Sequence, residues 1–67
     1  MFDGSLLKEK IENEGLSIKN LSSLMGISCA SFYRKVNGQS EFTVSEAGDI
    51  ISCLSLGDKE IRQIFFS

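Results

Sequence analysis

The chain has 67 residues, 42% of them hydrophobic with five phenylalanines, a formal net charge of −2 and a pI near 4.9. A chain this short holds one domain, residues 1–67, with a compact core and no deep cavity for a cofactor, and its composition argues against disorder. There is no histidine, and Cys29 and Cys53 form no C-x-x-C pair, so no metal site is expected, and two free thiols in a reducing cytoplasm are expected rather than a disulfide.

The opening "MFDGSLLKEK" has neither a basic start nor a long apolar run, so no signal peptide or membrane span is expected. Apolar spacing then reads as helix throughout, and no stretch alternates with period two. A first helix is predicted over residues 4–14, with Leu7 and Ile11 on one face and Gly15 as a left-handed stop. Ser17 is the N-cap of a second helix over 18–25, whose inner stripe is Leu21 and Met25 and whose stop is Gly26. Ser28 caps a third helix over 29–37. There Phe32 and Val36 point inward, while at about 100° per residue Ala30, Tyr33, Arg34 and Asn37 fall on the opposite face. Gly38 ends it.

Thr43 and Glu46 fit a capping box opening a fourth helix with Ala47, Ile50, Ile51 and Leu54 on its apolar side. Gly48 inside that helix implies either a closely packed neighbour or simple tolerance, at about 1 kcal/mol relative to alanine. Gly57 is the expected stop. Asp58 is the expected cap of a fifth helix, with Ile61, Ile64 and Phe65 inward and Phe66 left over. The fold expected is all-α, a bundle of five short helices.

Charge is unevenly spread. Between Ser17 and Ser40 the chain carries Lys19, Arg34 and Lys35 and no acid, while the remainder holds nine acids and four bases. A local cationic patch on an acidic protein is a candidate contact for a polyanion. The third helix fits a DNA groove. Its small residues "SCAS" let the backbone approach base edges, its N-terminal N–H groups and dipole favour a nearby phosphate, and the longer Tyr33 and Arg34 follow one turn later. An enzyme is not expected, because Glu9, Glu12 and Glu14 lie along one helix and no Ser or Cys has an activating base.

The order of cap, helix, glycine, cap, helix and glycine in "GLSIKNLSSLMGISCASFYRKVNG" resembles the helix-turn-helix of the phage Cro and repressor family, the lambda-repressor-like DNA-binding domains. The similarity spans nearly the whole chain. It rests most on Leu21, Gly26, Ile27, Ser28, Phe32, Val36, Asn37 and Gly38, with "IRQIFFS" similar to the ends of short phage regulators of Gram-positive bacteria. The resemblance implies a transcriptional regulator that puts residues 29–37 into the major groove of a double-stranded DNA operator. Base contacts then fall to Cys29, Ala30, Tyr33 and Arg34. Arg34 is the strongest of these, since a guanidinium grips guanine O6 and N7 bidentately; the Cys29 thiol is a weak hydrogen-bond partner. Phosphate contacts fall to Ser17, Lys19, Ser28, Lys35, Asn37, Gln39 and Ser40. One copy makes few contacts, so a homodimer on a two-fold operator is implied, with Ile64, Phe65 and Phe66 as candidate dimer contacts; finishing the monomer core competes for Phe65.

Three positions depart from the family pattern. Ile18 stands where a phosphate-gripping Gln is common, Ser22 where alanine packs between the helices, and Leu24 where an exposed polar residue is usual. Ile18 and Leu24, with the acidic balance, suit a rival reading in which the fold binds a co-encoded phage repressor instead of DNA.

Overall fold

The computed structural model describes residues 2–66. It contains α1 (Gly4–Asn13), α2 (Ile18–Met25), α3 (Cys29–Val36), α4 (Val44–Leu54) and α5 (Asp58–Phe65), and among the described residues there is no strand. Among the described residues no helix is long and apolar enough to cross a membrane.

The helix starts follow from short polar side chains that accept from otherwise unpaired first-turn N–H groups. Ser17 Oγ accepts from Asn20 N at 3.1 Å, and Ser28 Oγ from Ser31 N at 3.1 Å. Thr43 Oγ1 accepts from Glu46 N at 3.1 Å while Glu46 Oε1 accepts from Thr43 N at 2.9 Å, closing the expected box. Asp3 caps α1 by accepting from Leu6 N at 3.0 Å.

Four helix ends share one device. A residue in the left-handed region reverses the chain, and the next N–H donates back across the last turn: Leu16 to Ile11 O, Ile27 to Ser22 O, Gln39 to Arg34 O and Leu56 to Ile51 O, at 2.9–3.1 Å. Gly26, at φ 72°, makes this reversal between α2 and α3. In three cases the donor is Leu or Ile, which turns back onto the core. At the end of α4 the left-handed residue is Ser55, at φ 52°, not the expected Gly57. The helix stops there because Leu56 must reach the core, where it is buried. Gly57 instead is the N-cap of α5, its N–H donating to Glu60 Oε1 at 3.0 Å, and Asp58 is the first helical residue.

Leu7, Ile11, Leu21, Phe32, Val36, Ile50, Leu54, Leu56 and Ile64 form the core. Beside it the rings of Phe32, Phe42, Phe2 and Phe65 follow one another with centroids 5.5–5.6 Å apart. Ile64 is wholly buried, so its candidacy as a dimer contact is withdrawn: one face of an amphipathic α5 must close this core, and Ile64 is at its centre. Two polar ties seal the α1–α5 seam, Lys10 Nζ to Glu60 Oε2 at 2.7 Å and Asp3 N to Ile64 O at 2.6 Å.

The α1–α3 crossing is tight at Gly4, where a Cβ would overlap the Val36 carbonyl oxygen. Gly48 is the opposite case: nothing lies near its missing Cβ, so tolerance and not close packing explains it.

Candidate nucleic-acid interface

Helix α3 is held from behind and open in front. Phe32 and Val36 are buried, Ala30, Arg34 and Asn37 are exposed, and Tyr33 is 48% exposed. The helix itself has no carboxylate. Its connection to α2 is the three-residue turn Gly26-Ile27-Ser28, and the Ser28 cap leaves its own hydroxyl proton free to donate outward. Arg34 stands at the crest, its Nη2 donating to Ser31 Oγ at 3.4 Å, which leans the guanidinium along the helix while its other N–H groups stay open.

Two of the residues singled out on this helix are spent on the protein itself. Cys29 Sγ lies 3.3 Å from Ser22 Oγ, whose own proton goes to the Lys19 carbonyl, so the thiol donates inward to the serine. Cys29, expected as a base contact, packs in this way at the α2–α3 junction, with the buried Ser22 as its partner. Lys35, expected as a phosphate contact, is held in an ion pair. Its Nζ meets both Glu46 oxygens at 2.6 and 2.7 Å, with the two side chains only 15% and 16% exposed, and it lies 5.9 Å from the Phe42 ring centre. The Lys35 ammonium, followed by the Thr43 N–H, holds the Glu46 carboxyl below its ordinary pKa. A phosphate would have to compete with that carboxylate. The pairing is tertiary: it joins the last turn of α3 to the capping box of α4.

The remaining phosphate candidates are exposed, with one qualification. Ser17 donates its hydroxyl proton to Asn20 Oδ1 at 2.8 Å, so the donor faces its own helix and not solvent. Lys19, Asn37, Gln39 and Ser40 are open, the last two in the loop after α3. Phe65 is half-buried against Phe2, and Phe66 is 75% exposed, which leaves it as the accessible member of the dimer set.

Sequence reasoning missed Lys8. Helix α1 brings its Nζ to within 3.4 Å of Asn37 Oδ1, 29 residues away, and Lys8 also lines a recess with Tyr33, Ser17 and Ile18. No local signal points to it, since only the α1–α3 packing sets the two side by side. Of the two apolar departures, Ile18 packs partly on the core and Leu24 stands 68% exposed. Among the described residues no group of three His, Cys, Asp or Glu side chains converges on a metal site.

Comparison of the chain with protein-family models, with curated proteins and with solved structures finds no match.

Proposed function

We propose that the protein is a sequence-specific DNA-binding transcriptional regulator of phage or prophage Cro/repressor type, working in the cytoplasm. In this reading α2 and α3 are a helix-turn-helix, α3 lies in the major groove of an operator, and two copies bind a two-fold site. The single observation that carries it is the α3 face: Ala30, Tyr33, Arg34 and Asn37 project from a helix without acids while Phe32 and Val36 anchor it. Small residues sit at the end nearest the bases and long polar ones a turn later, the order that groove insertion needs. Arg34 reads guanine or clamps a phosphate; Ala30 meets a thymine methyl; Ser28, Lys19, Asn37, Gln39 and Ser40 position the backbone.

The test is selection of bound duplexes from a random pool, followed by affinity measurement at two salt concentrations. Binding weakens steeply with salt, and Arg34→Ala loses roughly 1–3 kcal/mol on the selected site with an unchanged melt. No enriched duplex at low salt refutes the reading.

A second reading has its own observation. Leu24 is exposed on α2 and Lys35 is neutralised, which lowers the charge available for DNA. A partner protein such as a co-encoded repressor then covers Leu24. Retention of that repressor, abolished by Leu24→Ser, with no DNA binding, favours it.

A further inference from the structure

Lys8 completes the DNA face. Resting on the regulator reading above, we propose that Lys8 is a DNA-phosphate contact on the α1 flank of α3, supplying the grip that Ile18 cannot. The sequence patch counted three cations, and the structure removes one of them, Lys35, into a largely covered ion pair with Glu46. Lys8 replaces it from outside the patch. Tyr33 and Asn37 are four residues apart, so they share one flank of α3, and Lys8 is beside both: it lines the recess that Tyr33 lines and donates to Asn37 Oδ1.

The same recess, about 340 Å³, also holds Ser17 and Ile18 at the start of α2. A phosphate at the edge of this recess nearest Asn37 is within reach of the Lys8 ammonium, with Tyr33 and the start of α2 lining the recess beside it and Ile18 offering only hydrocarbon. The Asn37 amide, its oxygen turned to Lys8, carries two further N–H donors on its nitrogen. One group opposes the phosphate: Glu12 lines the recess too, and its carboxylate reduces the gain. Lys10, two residues along α1, plays no part, because it is paired with Glu60 on the α5 side.

The experiment measures affinity for the selected operator against salt for wild type, Lys8→Gln, Lys8→Arg, Glu12→Gln and Lys59→Gln. Each neutralised phosphate contributes about 0.9 to the slope of log K on log salt, and the two copies bring two Lys8 side chains to the operator, so Lys8→Gln lowers the slope by about 1.8 and weakens binding about sixtyfold at about 0.1 M salt. Lys8→Arg restores the slope, Glu12→Gln tightens binding, and Lys59→Gln on α5 behaves as wild type. A wild-type slope in Lys8→Gln overturns the proposal. If Arg34→Ala, measured alongside on the same operator, still weakens binding, the failure belongs to Lys8 alone; if wild type binds no duplex at low salt, the regulator reading and this inference fall together.

Discussion

Replacing Gly4 by alanine tests how α1 positions α3. The added methyl would overlap the Val36 carbonyl oxygen and come 3.1 Å from the Val36 carbonyl carbon and 3.4 Å from Phe2 Cε2. The obstacle is backbone, which has no rotamer to escape into, so α1 must move off the end of α3. Overpacking of this kind costs about 1–3 kcal/mol, against at most about 1 kcal/mol of gain from alanine's better helix propensity. A 67-residue domain has about 3–10 kcal/mol in total. At about 4–8 °C per kcal/mol, a net loss of about 1–2 kcal/mol lowers the melting temperature by roughly 5–15 °C. Gly48→Ala is the internal control. It makes the same exchange inside α4 with nothing near the new methyl, so it stabilises by about 1 kcal/mol and raises the midpoint by about 4–8 °C. Far-UV circular dichroism melts and urea titrations of both variants read the two signs. A Gly4→Ala protein melting at or above wild type would show that the α1–α3 crossing is looser than the Gly4–Val36 contact implies, and with it the placement of Lys8 beside Asn37.

Ser55 holds a left-handed conformation that costs an L-residue about 1–2 kcal/mol, so Ser55→Gly raises the urea midpoint by the equivalent of about 0.5–1 kcal/mol after glycine's extra chain entropy is subtracted. Glu46 titrates below its ordinary value in the folded chain, chiefly through its hydrogen bond to Lys35. Its contribution is therefore present above the ordinary glutamate range and is lost as pH falls through the depressed value, so the stability difference between wild type and Glu46→Gln, seen in urea melts at about pH 7, narrows as the pH is taken down below the ordinary glutamate range. Phe66→Ser leaves the melting temperature of dilute protein unchanged, because the ring is exposed, but raises the dimer dissociation constant measured by sedimentation; an unchanged constant removes Phe66 from the interface.

The number and order of the helices and the starts of the first four were legible in the chain because they depend on neighbours in sequence, whereas the cap of α5 fell one residue earlier than expected, on Gly57. A capping serine or threonine acts within three residues, a left-handed glycine reverses the chain on the spot, and a 3.6-residue period marks the buried face. For this reason Phe32 and Val36 inward, with Ala30, Tyr33 and Arg34 outward, were readable from residues 29–37 alone. The end of α4 was misplaced because a nearby glycine is the stronger local signal, while Ser55 takes the strained turn for the sake of burying Leu56. What the candidate site is made of depended on distant residues. Lys35 looked like a free cation until α4 set Glu46 against it, Cys29 looked outward until its thiol met the buried Ser22 hydroxyl, and Lys8 had no visible role until α1 crossed α3 at Gly4. Local hydrogen bonding and side-chain period therefore determine which face of each helix is exposed. Charge acts through space, so only the packed structure decides which cations on that face are left for a ligand.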